Sequence, residues 1–234
     1  GAPVSIAAYL SVVPKIGAIL AFAQVVRDLP LLTEWPLIIA VIAVLTMTYG
    51  YLAALVQNNV IRLLAYSSVA QAGYFLLGIV AVGVSPLATQ SLIVFSAAYA
   101  AMNLGVFAIA LLVGRTLETF KGVGRTNPLL AVAMVVFLLS LVGIPPLAGF
   151  VGKFLLFGAA IEAGFLWLTV VAILNSVLSL AVYLRIIVPM YQKNTNIKLS
   201  SSGSAALITF VWGIVLLLTI GIGVSAQLLL GNLS

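Results

Sequence analysis

Long apolar runs alternate with short polar breaks along the whole chain. Eight runs stand out, at residues 4–27, 36–57, 60–82, 87–114, 128–143, 146–163, 165–189 and 204–230. Most reach the ~20 residues that a bilayer crossing needs. The breaks carry turn residues: Arg27-Asp28-Leu29-Pro30, Glu34-Trp35-Pro36, Gln57-Asn58-Asn59 and Gly83-Val84-Ser85-Pro86, with longer connectors at 115–127 and 190–203. Trp35 suits the interfacial aromatic belt. The fifth and sixth runs are short and separated only at Gly143–Pro145. As one straight helix they would span roughly 54 Å, far more than a ~30 Å hydrocarbon core. The pattern therefore predicts two short crossings, the second locally unwound. The expected fold is an all-α, multipass transmembrane helix bundle of about eight segments, forming a single domain over residues 1–234.

Composition supports this. The chain is 64% hydrophobic and 6% charged, where a soluble domain carries about 25% charged residues. Ten Lys or Arg against four Asp or Glu form no basic stripe, which excludes a nucleic-acid partner. The sequence has no Cys and no His, so disulfides, thiolate metal sites, cysteine-held iron–sulfur clusters, histidine-held haem and most zinc sites are excluded. No cofactor or metal is expected on this chain. Gly1-Ala2-Pro3 offers neither an initiator Met nor the basic start of a signal peptide, the pattern of a segment from inside a longer protein. With eight crossings, Arg62, Arg115, Lys121 and Arg125 face one side and Arg27, Arg185, Lys193 and Lys198 the other. Such an even division gives the positive-inside rule nothing to act on.

Two charges lie inside apolar runs. Lys15 follows Pro14, and Lys153 follows Gly152 and the Pro145-Pro146 pair. A lysine near the bilayer midplane costs at least ~2.5–3.5 kcal/mol, and proline stops or breaks a helix. A broken helix beside a buried amine is the make-up of a transporter ion or proton site. Desolvation disfavours the charged form of an amine, which lets a buried lysine exchange protons where a solvated one stays charged. The plainer reading is that each lysine snorkels to the interface, but neither is near a predicted helix end. Five crossings apart, the two segments are expected to run in opposite directions, as in an inverted repeat.

Other polar groups are candidates for lining a water file. Tyr66, Ser67, Ser68 and Gln71 lie within three turns of the third run, where interhelical hydrogen bonding is an equal alternative. Tyr99 with Asn103, and Asn175 with Ser176 and Ser179, read more readily as packing. Arg62 and Arg185, near run ends, read as contacts to headgroups or a partner subunit. Asp28, Glu34, Glu118 and Glu162 all lie at ends or in connectors, so no buried carboxylate partners the lysines within this chain.

Several stretches together resemble one family. They are Pro3 to Lys15, Arg62 to Tyr74, Phe120-Lys121-Gly122-Val123-Gly124-Arg125, Leu138 to Lys153, and Asn175-Ser176 through Tyr183-Leu184-Arg185. The family is the antiporter-like subunit N (subunit 2) of respiratory complex I and its photosynthetic relatives. The most specific piece is Gly143-Ile144-Pro145-Pro146-Leu147-Ala148-Gly149-Phe150 followed by Gly152-Lys153-Phe154. The resemblance implies the last eight of about fourteen helices, with two interrupted helices carrying key lysines. It also implies Lys15 as the central lysine of the first half-channel and Lys153 as its match on the exit side.

The family's buried glutamate would lie on an earlier helix. Quinone, NADH (or ferredoxin), FMN and iron–sulfur clusters are implied on partner membrane and peripheral subunits, in a bacterial inner membrane. Ile61-Arg62 departs from the family's Lys-Arg, and the second run offers only tyrosines as ionisable groups. The resulting expectation is a proton-translocating subunit of a quinone oxidoreductase, with Lys15 and Lys153 as relays. The alternatives are a subunit of a multi-subunit cation/proton antiporter and a passive membrane scaffold.

Overall fold

The computed structural model of the protein describes residues 3–28, 34–193 and 205–231. Gly1, Ala2, Leu29, Pro30, Lys198 and the serine-rich end of the 190–203 connector lie outside the described residues. All eight apolar runs are helical. In chain order the elements are α1 (Val4–Arg27), α2 (Trp35–Leu55), α3 (Val60–Val80), α4 (Leu87–Val113), the single-turn α5 (Leu117–Phe120) and α6 (Val123–Thr126), α7 (Pro128–Val142), α8 (Ala148–Glu162), α9 (Leu166–Met190) and α10 (Ala205–Gly231). Boundaries follow local chemistry. The Asn59 side chain caps α3 by accepting from Arg62 N. Pro36 and Pro128 sit in the first turns of α2 and α7, where no N–H is missed. α1 runs unbroken through Pro14, so the interruption expected near Lys15 is absent; a lone proline removes one hydrogen bond, and the rest of the helix holds.

Among the described residues six helices, α1 to α4, α9 and α10, are long and apolar enough to cross a membrane singly. The remaining pair, α7 and α8, is a single crossing, not two. Along α4 from its end toward its start, Gly105 meets Phe137, Met102 meets Gly149, Phe95 meets Gly152 and Leu87 meets Gly158. α7 and α8 thus follow one another down the length of α4. Length arithmetic misled because the break doubles back: Gly149 N donates to Ser140 Oγ at 3.0 Å, so residues 140–149 add no height. What remains of 128–162 amounts to about 40 Å of helix, matching the 27-residue α4.

Neighbouring helices support a count of seven crossings among the described residues. α9 runs antiparallel to α3, pairing Tyr183 with Ser67 and Ala172 with Tyr74. It runs parallel to α2, pairing Asn175 with Thr48 and Arg185 with Leu55. Two consequences correct the sequence reading. α1 and α8 are four crossings apart and run in the same direction, so Lys15 and Lys153 are not related by an inverted pair of segments. The charges near the helix ends no longer balance: among the described residues Arg27 belongs to one face, while Arg62, Arg115, Lys121, Arg125, Arg185 and Lys193 belong to the other. That second face is knitted together by Val60 N to Arg115 O, Leu117 N to Asn58 O and Gly122 N to Pro189 O.

α3 and α4 form the centre of the bundle, most of their residues being buried. α1, α2, α9 and α10 surround them and leave apolar side chains such as Leu45, Leu174 and Leu217 outward. Such an outward apolar surface fits lipid and partner subunits.

Candidate functional site

The site grows out of the Pro145-Pro146 pair. A helical carbonyl accepts from the N–H four residues on, so Leu141 O and Val142 O would need donors at 145 and 146. Proline has none. Two adjacent carbonyls are left without helical partners inside an apolar bundle, where an unpaired carbonyl is costly. Two side chains reach them. Gln71 Nε2 donates to Leu141 O at 3.1 Å, and Lys153 Nζ donates to Val142 O at 2.9 Å. Gly143 ends α7 at φ 96°, and the Lys153 stem fills the space beside it, with Cδ 3.0 Å from where a Cβ would stand. The proline pair thus builds the seat of Lys153.

Lys153 is 3% exposed. Besides Val142 O it donates to Ser176 Oγ at 3.2 Å and stands 4.0 Å over the Tyr74 ring. Lys15, half-buried in α1, has the same three kinds of partner. Its Nζ donates to Ser68 O and Ser68 Oγ, both at 2.5 Å, and to Tyr99 OH at 3.1 Å, with the Tyr99 ring centroid 5.0 Å away. A carbonyl, a serine hydroxyl and an aromatic face hold an amine without a counter-ion, the ring quadrupole supplying part of the attraction. Among the described residues the ion pair is Lys121 with Glu118 in the 115–127 connector, and no carboxylate touches either lysine.

Hydroxyl groups extend from both lysines toward each other. Ser176 Oγ bonds Tyr74 OH at 2.9 Å, Tyr74 interacts with Tyr51, and Tyr51 interacts with Tyr183 and Ser179. Tyr183 OH bonds Ser67 Oγ at 2.5 Å. From the other end, Ser68 Oγ bonds Tyr99 OH at 2.7 Å, which donates to Ser11 O at 3.0 Å. Asn103 Nδ2 completes that end, donating to Ser11 Oγ at 2.7 Å. The two series meet at the neighbours Ser67 and Ser68, about 100° apart around α3. Tyr51, Tyr74, Tyr99 and Tyr183 are all fully buried, and buried phenols require partners.

The structure therefore gathers Lys15, Lys153, Ser67, Ser68, Gln71 and Asn103 into one polar seam. It leaves Tyr66 outside: that ring packs edge-on against the exposed Tyr49, 6.4 Å between centroids. Tyr51, Tyr74, Tyr99, Tyr183, Ser176 and Ser11 belong to the seam although the sequence reading did not assign them to it. A signal was present, since Ser67, Gln71 and Tyr74 are spaced i, i+4, i+7, and Ser176, Ser179 and Tyr183 i, i+3, i+7, each a single helix face. Arg185 turns inward instead of reaching headgroups. It donates to Leu55 O and, at 3.0 Å, to Asn58 Oδ1, closing the C-terminal end of α2.

The sequence profile described as "NADH:quinone oxidoreductase/Mrp antiporter, TM" matches residues 1–179. The chain belongs to this family. Subunit N of an NADH-quinone oxidoreductase from Trichlorobacter lovleyi is 43% identical over 204 residues, covering 82% of this chain and 41% of that protein. The subunit N of a Mycobacterium species (strain JLS) is 45% identical over 193 residues, with 82% and 41% covered. The chain thus spans about two-fifths of the length of the curated relatives it matches. Among solved structures, respiratory complex I from Thermus thermophilus contains a similar chain at TM-score 0.73 and 32% identity, covering 84% of this chain and 45% of that one. The Mrp complex of Dietzia sp. DQ12-45-1b contains another at TM-score 0.69 and 26% identity, with 84% and 46% covered. The all-α, antiporter-like membrane fold is thereby established.

Proposed function

We propose that this chain is the proton-conducting part of a subunit N in an NADH-type quinone oxidoreductase, with Lys15 and Lys153 as the stations between which protons move. The observation that carries this reading is a pair of buried or half-buried lysines, without a counter-ion among the described residues, from which two serine–tyrosine series converge on Ser67 and Ser68 at the centre of an apolar bundle. A lysine held by neutral groups can give up a proton without stranding a buried carboxylate. Water carries the proton across the step between Ser67 and Ser68, where no direct bond joins the two hydroxyl series. Oxidation of NADH and reduction of quinone belong to partner subunits, because a chain without Cys or His has no ligand set for an iron–sulfur cluster. Six basic residues at or near the α2–α3, α4–α7 and α9–α10 connectors against one, among the described residues, favour a cytoplasmic position for those connectors under the positive-inside rule. α8 then carries Lys153 from mid-membrane toward the opposite face.

The likeness to the Mrp complex supports a second reading, a subunit of a cation/proton antiporter. Proton uptake by vesicles holding the assembled complex separates the two. Quinone-driven pumping that persists when Na⁺ is replaced by K⁺ supports the first reading. A pH gradient that forms only with Na⁺ and without quinone supports the second.

A further inference from the structure

A cavity of about 180 Å³ lies against Lys153 between α8 and α9. Its walls are the rings of Phe150, Phe154 and Phe157 and the side chain of Ile173. Phe150 and Phe154 stack at 5.9 Å between centroids, and Phe157 leans on Tyr74 at 6.4 Å. The polar side chains lining it are Lys153 and Ser176. Phe154 and Ile173 are 52% and 47% exposed, so the cavity opens outward between them, through the apolar surface of the bundle. Ser176 stands ten residues into α9, about 15 Å from its start, near the middle of a ~30 Å hydrocarbon core. An entrant from the bilayer therefore meets apolar walls and then one amine. A charged Lys153 has three N–H donors, and Val142 O and Ser176 Oγ take two. One remains, and no carboxylate among the described residues answers it. An apolar cavity of ~150 Å³ holds a benzene-sized molecule, so this one has room for a carboxyl group and the first methylenes behind it. The depth selects further. Burying a permanently charged headgroup there is costly, whereas a carboxylic acid can travel to that depth neutral.

We propose that this cavity binds a free fatty acid of the bilayer, its carboxyl on Lys153 Nζ and its chain leaving between Phe154 and Ile173. The acid arrives protonated and meets a neutral amine. Its O–H bond breaks and an N–H bond forms on Nζ, giving an ammonium–carboxylate pair that brings no net charge into the membrane. A buried pair of this kind needs further hydrogen bonds, and the ammonium keeps those to Val142 O and Ser176 Oγ. A bound acid ties up the amine and so inhibits the subunit. That consequence rests on the relay reading above; the binding site does not.

The test is photolabelling of the assembled complex in lipid nanodiscs, with dodecanoic acid carrying a diazirine close to its carboxyl and the labelled peptides read by mass spectrometry. Labels are expected within residues 150–157 and 173–176, suppressed by excess dodecanoic acid. Methyl dodecanoate and dodecyl sulfonate share the chain but lack a proton to give at neutral pH, and should compete about tenfold more weakly. Lys153→Met, which keeps the walls and removes the amine, and Ile173→Trp, which fills the mouth, should each cut labelling about tenfold. Absent labelling, equal competition by the methyl ester, or unchanged labelling of either assembled variant overturns the site. So does a cryo-EM map of the complex in which a partner subunit's side chain fills the cavity. If Lys153→Met does not assemble, Ile173→Trp decides. Failure of the relay reading is distinguishable: it appears as normal pumping in Lys153→Ala, while labelling of the wild-type complex is untouched.

Discussion

Replacing Tyr74 by Phe removes one oxygen atom from the seam and little else. The hydroxyl donates to Ala172 O at 3.0 Å and bonds Ser176 Oγ at 2.9 Å. Neither partner is orphaned by its loss, because Ala172 O keeps its place in the α9 helix and Ser176 Oγ still accepts from Lys153. Interhelical hydrogen bonds in membranes average about 0.6 kcal/mol, so the total loss of stability is about 1 kcal/mol. The ring stays, and with it the 4.0 Å contact under the Lys153 amine and the contacts to Tyr51, Phe95 and Phe157. The function should suffer far more than the fold. Without the hydroxyl, Ser176 and Tyr51 have no intermediate, and Lys153 is cut off from the rest of the seam. Tyr74→Phe should assemble to wild-type levels by native electrophoresis yet pump about tenfold more slowly in vesicles monitored with a pH-sensitive dye. Wild-type pumping by a normally assembled Tyr74→Phe complex would refute the hydroxyl route.

Gly149→Ala should destabilise the subunit by ~3 kcal/mol, the upper end for overpacking, because the new Cβ would lie 1.8 Å from Ser140 O and 2.9 Å from Met102 Sδ. Subunit content after heating checks this, with Gly158→Ala as a tolerated control, since its Cβ would meet only Leu87 at 3.5 Å. Arg185→Leu removes the donor to Leu55 O and Asn58 Oδ1 and should cost about 1–3 kcal/mol. It should lower the thermal midpoint of the complex and leave protons pumped per electron unchanged. Lys15→Met should leave Ser68 and Tyr99 bonded to each other and preserve assembly, while pumping measured in vesicles falls severely.

The eight helices were legible because each apolar run ends in residues that stop a helix, such as Asn59, Gly143 and Pro128. Lys153 was equally legible, as a charge seven residues beyond a double proline in an apolar run. The number of crossings was not. Counting residues assumes that chain length becomes height, and between Ser140 and Gly149 the chain doubles back and gains none. That single error reversed the direction of every later helix, hid the charge asymmetry and made Lys15 and Lys153 look like an inverted pair. Pro14 misled in a smaller way, since α1 absorbs one missing hydrogen bond without breaking. The tyrosines were overlooked for a different reason. A buried phenol is ordinary packing until its neighbours are known, and the partners of Tyr74 and Tyr183 lie 102 and 116 residues away in sequence. Only the stripes Ser67–Gln71–Tyr74 and Ser176–Ser179–Tyr183 hinted that these hydroxyls share a face.

The most direct test of the relay is Lys153→Ala in the assembled complex, reconstituted in vesicles, with pumping, quinone reduction and subunit content followed together. The account predicts wild-type subunit content with pumping, and the turnover coupled to it, severely reduced. Assembly, turnover and pumping all close to wild type would contradict it and leave Lys153 as a packing residue seated on the carbonyl that Pro146 sets free.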